Sequence, residues 1–150
     1  MNAKTLKCAS NFINALSTCC DELTTKERIV IFNLLSGLSQ KLVGIRHPVL
    51  NVRLVEANLV FNNDFSAESI TLSEDCALKK SIRKEGLTMP IVVGQCSGES
   101  GYTVTDGAHR MEIIKSEPDI RESLANHIPV VIINNMKDST AHSIKDHAVG

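Results

Sequence analysis

The sequence predicts an α/β (α+β) fold: a mixed sheet flanked by helices, with a helical extension at its N-terminus. Three observations predict it. Short β-branched runs at 52–55, 90–93, 102–105 and 128–133 alternate with capped helical segments. The dipeptide Asp106-Gly107 breaks one strand and leads straight into a helix. Residues 5–43 carry apolar side chains at helical spacing. A length of 150 residues fits one domain with an appended helical element. The expected division is a helical hairpin over 1–48, the mixed-sheet domain over 49–136 and a polar helix or tail over 137–150.

In the extension, Leu6, Ala9, Phe12, Ile13 and Leu16 recur at helical spacing. Thr24 followed by Glu27 has the form of a capping box that opens a second helix. Ile29, Val30, Phe32, Leu34, Leu35, Leu38 and Leu42 give that helix a wide apolar face. Gly44 stops it, and His47-Pro48 disfavours its resumption. A hairpin of this kind is expected to pack on the rest of the chain, on a protein partner, or on a second copy as a homodimer through residues 5–43.

From Asn51 the pattern changes. Val52-Arg53-Leu54-Val55 and Leu59-Val60-Phe61 read as strands, followed by an Asn62-Asn63-Asp64 turn. Ser73 is the expected cap of the next helix, with Glu74 and Asp75 in its first turn and Lys79, Lys80, Arg83 and Lys84 near its end. That order suits the helix dipole. Cys76 in this helix reads as a small core residue, and Gly86 as its terminator. Pro90-Ile91-Val92-Val93 and Tyr102-Thr103-Val104-Thr105 form a hairpin around a polar Gly/Ser turn. A helix follows from Ala108 to about Ser116, with Pro118 just past its end. A short helix within 119–126 and a buried strand at 128–133 complete the domain.

Composition narrows the function. Sixteen Lys plus Arg against 17 Asp plus Glu leave a net charge of −1, so general attraction to nucleic acid is weak. No apolar run approaches the ~20 residues that span a bilayer, and Lys4, Lys7, Asn11 and Asn14 interrupt the N-terminus where a signal peptide is continuously apolar. A cytoplasmic protein with no membrane partner is the expectation. Five cysteines without a Cys-x-x-Cys pair point to reduced thiols, with neither disulfide nor zinc site. The histidines are scattered without ligand spacing, so no metal site is expected from protein side chains alone.

The chemistry concentrates at Asp106-Gly107-Ala108-His109-Arg110. A glycine between strand and helix permits a sharp turn and close approach of a ligand to backbone amides. The first amides of the helix lack internal partners and sit at the positive end of its dipole, which suits an anion. His109 and Arg110 add side-chain donors, and arginine grips phosphate in bidentate fashion. The alternative is a plain glycine turn, with Arg110 in a salt bridge and His109 merely exposed.

The order of Gly86-Leu87, Pro90-Ile91-Val92-Val93, Tyr102-Thr103-Val104-Thr105-Asp106-Gly107, His109-Arg110 and Ile128-Pro129-Val130-Val131-Ile132-Ile133 resembles the ParB/sulfiredoxin superfamily over residues 52–134. It is most similar to the IbrB-like branch, whose members carry an Asp-Gly-x-His-Arg turn and act as co-activators of prophage gene expression. The resemblance implies a bacterial or phage protein in transcription regulation. It also implies a nucleoside di- or triphosphate, with Mg²⁺ carried by the nucleotide. Its phosphates would be held by Gly107, Ala108, His109 and Arg110. Asp106 would set the turn or sit near the metal, and Gly86, Leu87 and Pro90 would border the base or sugar.

The departures are as informative. Sulfiredoxins have their catalytic cysteine immediately before the His-Arg pair, where this chain has Ala108, so sulfinic acid reduction is not expected. Partition CTPases have glutamine before the proline, an arginine-rich turn and a helix-turn-helix domain; Met89 stands at the first position. Free serine kinases use a glutamate base after the first strands. The nearest residue here is Asp64, one methylene shorter and also readable as a turn residue in Asn62-Asn63-Asp64; for hydrolysis, which needs a base or water-orienting group, the candidates are Asp64, Asp106 and Asp146. A nucleotide hydrolase or phosphotransferase is therefore the alternative to a regulatory binding domain. A DNA-associated co-regulator is the third reading, with Lys79, Lys80, Arg83 and Lys84 as a nucleic-acid patch or simply a solvated helix face.

Overall fold

The computed structural model describes residues 2–62, 70–95 and 100–133. Five strands form one mixed sheet: β1 (Val52–Glu56), β2 (Val60–Phe61), β3 (Ile91–Gln95), β4 (Tyr102–Asp106) and β5 (His127–Ile133), in the order β1-β5-β3-β4-β2. β5 runs antiparallel to β1 and parallel to β3, while β4 runs antiparallel to β3 and parallel to β2. Parallel neighbours need a crossover. Between β3 and β5 it consists of β4, α4 (Ala108–Ser116) and α5 (Pro118–Ser123).

The core explains where α4 sits. Ile91 and Val93 from β3, Ile128 and Val130 from β5, and Val60 are fully buried, and Ile114 of α4 joins them. Met111 and Ile113 of α4 and Ile120 of α5 are nearly as enclosed. Burying each such side chain contributes about 1.5–3 kcal/mol. Three of these anchors lie within four residues of one another on α4, so the first turn of that helix is held in place from beneath.

A third helix, α3 (Leu72–Glu85), is tied to the α4–α5 junction by charge. Lys79 Nζ lies 2.9 Å from both Asp75 Oδ2 and Glu117 Oε1. Arg83 reaches Glu117 at 3.0 Å and Asp119 at 2.9 Å. Ile82, on the same helix, enters the core.

The N-terminal helices are α1 (Ala3–Cys19) and α2 (Thr25–Val43), joined by a 3-10 turn at Cys20–Glu22. Both bonds of the Thr24–Glu27 capping box are made, and Gly44 closes α2 at φ 68°. β1 is an edge strand whose outer backbone groups need partners. Asn33 of α2 supplies them: its Oδ1 accepts from Leu54 N–H at 2.8 Å and its Nδ2 donates to the Leu54 carbonyl at 3.0 Å. Among the described residues, no helix is long and apolar enough to cross a membrane.

Several expectations are corrected. The cap of α3 is Thr71, whose hydroxyl accepts from Glu74 N–H, so the helix starts before Ser73. Leu59 belongs to a 3-10 turn (Ala57–Leu59) and only Val60 and Phe61 are strand. Pro118 opens α5 at its first position, where its missing N–H costs nothing. Cys76 is exposed and not a core residue. Most of the apolar face of α2 is exposed, at Val30, Phe32, Leu34, Leu38 and Leu42, while Ile29 and Leu35 are half-buried. Asp64, Asp146 and the segment 137–150 lie outside the described residues.

Candidate functional site

The turn at Gly107 is built by three local features. β4 carries a bulge, in which Val92 pairs with Asp106 and Val93 with Val104, leaving Thr105 as the extra residue. Its hydroxyl donates to the Val92 carbonyl at 3.2 Å. Such a bulge bends the strand end and re-aims the chain as it leaves the sheet. Gly107 then adopts φ 94°, ψ 24°, a left-handed conformation, and stands at the N-cap of α4. No side chain caps this helix; the first bond from its N-terminal turn runs from Met111 N–H to the Gly107 carbonyl. The amides of Ala108, His109 and Arg110 thus form the leading edge of the helix, where its dipole favours an anion.

Arg110 does more than face outward. Its Nη1 donates to the carbonyls of Met89 at 2.9 Å and Pro90 at 3.2 Å, and its Nη2 lies 4.0 Å from Asp106 Oδ2. The side chain is only 17% exposed, against 73% for Asp106. A Cβ at position 107 would come within 2.9 Å of Arg110 Nη2 and 3.0 Å of Ile91 Cδ1. The glycine is therefore favoured by its own φ, and a Cβ there would also push the Arg110 guanidinium aside.

His109 lines a groove of about 420 Å³ together with Ile70, Thr71, Leu72, Asp75 and Glu112. Glu112 Oε1 accepts from Asn62 Nδ2. Sequence reasoning singled out neither Glu112 nor Thr71 for this site, and gave Asp75 only a place in the helix-dipole argument. The spacing His109–Glu112 is a signal that both lie on one helix face. Nothing comparable marks Thr71 and Asp75, which reach the groove only because α3 packs beside α4. Among the described residues, no group of three or more His, Cys, Asp or Glu is placed to hold a metal ion.

The residues expected to border a base separate. Pro90 is held to the turn by Arg110. Gly86 and Leu87 line a different depression, of about 510 Å³, with Ile82, Arg83, Asp119 and Leu124. It lies at the C-terminal end of α3, whereas Thr71 and Asp75 mark the N-terminal end, about 20 Å along the helix. A further depression, of about 570 Å³, lies beyond the C-terminal half of α4, lined by Glu56, Lys115, Arg121 and His127. It contains none of the turn residues, and we place the candidate site at the turn because the backbone geometry for an anion is there. Of the four cations on α3, Lys79 and Arg83 are consumed by carboxylates; the hydrogen bond from Lys79 to Asp75, then that to Glu117, pushes the Lys79 ammonium up to about 12.

Fold and site together define a small α+β domain, whose bulged strand delivers an uncapped glycine turn to the start of a helix. No family model matches the sequence. The uncharacterized protein YbdM of Escherichia coli (strain K12) is 30% identical over 91 residues, which are 61% of this chain and 43% of that protein. The chain thus spans less than half the length of the curated relative it matches. Among solved structures, the C-terminally truncated chromosome-partitioning protein ParB from Caulobacter crescentus, complexed with CTP-gamma-S, is similar at a TM-score of 0.44 and 18% identity, over 55% of this chain and 44% of that one. Sulfiredoxin from Arabidopsis thaliana is similar at a TM-score of 0.44 and 22% identity, over 62% of this chain and 96% of that one. A free serine kinase in complex with AMP is similar at a TM-score of 0.39 and 21% identity, over 55% of this chain and 30% of that one.

Proposed function

We propose that this chain is a nucleotide-binding regulatory domain of the ParB/sulfiredoxin type, in which the N-terminal turn of α4 holds the phosphates. The observation that carries the reading is Gly107 in left-handed geometry at the head of a helix that no side chain caps. The amides of Ala108 to Arg110 face the anion and His109 donates from the groove side. Arg110 contributes the guanidinium edge left over after Nη1 has bonded the Met89 and Pro90 carbonyls. The ligand is a nucleoside di- or triphosphate, as the resemblance of the turn implies, and Mg²⁺ arrives with it. Glu112 and Asp75 are the carboxylates beside His109 that would meet the metal's water shell.

Regulation follows from the contacts of Arg110. A phosphate on the free edge pulls on a guanidinium whose Nη1 is bonded to the loop before β3, so ligand occupancy is coupled to that loop. Through its partners the domain, of bacterial or phage origin, would act in transcription regulation in the bacterial cytoplasm.

The second reading is an enzyme, a nucleotide hydrolase or phosphotransferase. Glu112 and Asp75 favour it, because a phosphate at the turn would have carboxylates within the same groove to orient water or a hydroxyl. A calorimetric nucleotide panel with Mg²⁺, run alongside phosphate-release assays, separates the two. Binding without release supports regulation, and release abolished by Glu112→Gln supports the enzyme. Binding to no nucleotide sinks both.

A further inference from the structure

At the end of α4 remote from Gly107, about 10 Å along the helix, the depression of about 570 Å³ gathers side chains from four elements. Glu56 ends β1, Lys115 lies in the last turn of α4, Arg121 stands on α5 and His127 begins β5. The turn between α5 and β5 supplies Ala125 and Asn126 to its lining. Both take left-handed backbone, at φ 53° and 59°. That conformation is unfavourable for alanine, and three hydrogen bonds hold it. Asn126 N–H donates to the Arg121 carbonyl, Ala57 N–H to the Asn126 carbonyl and His127 N–H to the Leu124 carbonyl, each at 2.9 Å.

The two strong cations of this cavity lack counter-charges. Lys115 and Arg121 are both half-buried, yet among the described residues neither forms an ion pair. Lys115 donates to the Val60 carbonyl and lies 5.4 Å from the centre of the Phe61 ring. Arg121 Nη1 donates to the Lys115 carbonyl at 3.3 Å, while its Nε is buried with no hydrogen-bond partner among the described residues. A buried donor of this kind is a place for an ordered water or an ion. Burial pushes the Lys115 ammonium below its ordinary value, as expected of a charge without a counter-ion. His127 Nδ1 lies 2.6 Å from the Ala125 carbonyl, which can only accept, so the ring proton sits on Nδ1 and Nε2 is left to a ligand. Glu56 lines the same cavity but is exposed and pairs with neither cation.

We infer that this cavity binds a small phosphate monoester, on Lys115, Arg121 and His127. The two cations offer a guanidinium fork and a point charge, and a phosphate monoester near neutral pH carries about −1.5 to −2. A carboxylate or a phosphodiester would offset only one of the two charges. Glu56 repels the same ligand from the exposed side and so lowers its affinity. None of these residues belongs to the Gly107 turn, so this site is independent of the nucleotide reading.

Titration of the isotope-labelled full chain with β-glycerophosphate, followed by NMR at the His127 ring and the Asn126 amide, tests it. Both signals should move saturably, and should do so equally in Arg110→Ala, where the turn has lost its guanidinium. Arg121→Gln and Lys115→Gln should each weaken binding by about tenfold or more, and Arg121→Lys should lose less. Glu56→Gln changes an exposed residue, so it reads the site even where the other variants fail to fold; it should tighten binding several-fold. Dimethyl phosphate, a singly charged diester, should bind about tenfold more weakly than the monoester. The inference is overturned if the His127 signal does not move saturably, or if the movement survives unweakened in folded Arg121→Gln and Lys115→Gln. It is overturned equally by a diester that binds as tightly as the monoester, or by a Glu56→Gln chain that binds no tighter than wild type.

Discussion

Arg110 Nη1 lies 2.9 Å from the carbonyl oxygen of Met89, so the first turn of α4 holds the loop that leads into β3. That places the guanidinium between two tasks, fastening this loop and meeting a phosphate. Replacing Arg110 with Ala removes both. Charge-assisted hydrogen bonds are worth about 1.5–3 kcal/mol, so nucleotide affinity should fall roughly tenfold to a hundredfold. The thermal midpoint should drop modestly in the absence of ligand, because the carbonyls of Met89 and Pro90 lose their donor. Calorimetry and a melt on the same preparations check both effects. Nucleotide binding as tight as wild type would remove Arg110 from the phosphate site.

His109→Ala should cost less affinity than Arg110→Ala, since it removes one donor at the groove edge and leaves the turn intact. Nucleosides should bind far more weakly than the corresponding di- or triphosphates if the amides of α4 supply the main attraction. Competition between adenosine or cytidine and their triphosphates reads this directly. Equal affinity would place the ligand's recognition away from Gly107.

Gly107→Val is expected to damage both fold and site. The backbone there is at φ 94°, and a Cβ would meet Arg110 Nη2 at 2.9 Å and Ile91 Cδ1 at 3.0 Å. Strain of this kind costs on the order of 1–3 kcal/mol before any packing loss is added. Urea unfolding should show a lower midpoint than wild type, and Gly107→Ala should fall between them. Ile91 is fully buried in the core and has little room to retreat.

Much of this geometry was legible in the residues themselves. The Thr24–Glu27 box, the stop at Gly44 and the strand-turn-helix at Tyr102 to Arg110 are local signals, and each is set by sequence neighbours within a turn or two. The cap of α3 was misplaced because Thr71 and Ser73 are both hydroxyl residues, and the choice between them depends on which amide lies within reach. The pairing of His109 and Glu112 with Asp75 and Thr71 was not legible. It arises where α3 docks beside α4, with Ile82 in the core and Lys79 and Arg83 on Glu117 and Asp119, contacts with no local signature. The role of Asn33 was hidden for the same reason, since its partner Leu54 lies on a strand that only folding brings near.

The ion cluster between α3 and the α4–α5 junction should make stability fall in acid. The hydrogen bond from Lys79 holds the Glu117 carboxyl below its ordinary range, and that from Arg83 does the same for Asp119. Both therefore titrate lower in the folded chain than in the unfolded one. Their stabilisation is complete above the unfolded carboxylate range, at about pH 4, and disappears as the pH falls through the lowered folded values. Lys79, pushed up to about 12, behaves oppositely: its share persists below the ordinary lysine range and is lost as the pH rises through about 12. Glu117→Gln should lower the urea midpoint at neutral pH, and the difference from wild type should shrink in acid. An undiminished difference in strong acid would show that Glu117 acts by packing and not by charge.

The same cluster limits what α3 can do with nucleic acid. Lys79 and Arg83 are each bonded to carboxylates, which leaves Lys80 and Lys84 as the α3 cations without an ion pair among the described residues. Two lysines on a protein of net charge −1 give only weak attraction to a phosphate backbone, with a shallow dependence on salt. Any DNA binding by this chain should therefore be weak, be lost at physiological salt, and vanish in Lys80→Glu combined with Lys84→Glu. Glu117→Gln should strengthen it slightly, because Lys79 and Arg83 each give up one of their acidic partners. A fluorescence-anisotropy titration of the three proteins on the same duplex, at two salt concentrations, checks the order. Tight, sequence-specific binding that survives the double lysine substitution would place the nucleic-acid contact elsewhere on the molecule, and would favour the DNA-associated reading over nucleotide regulation.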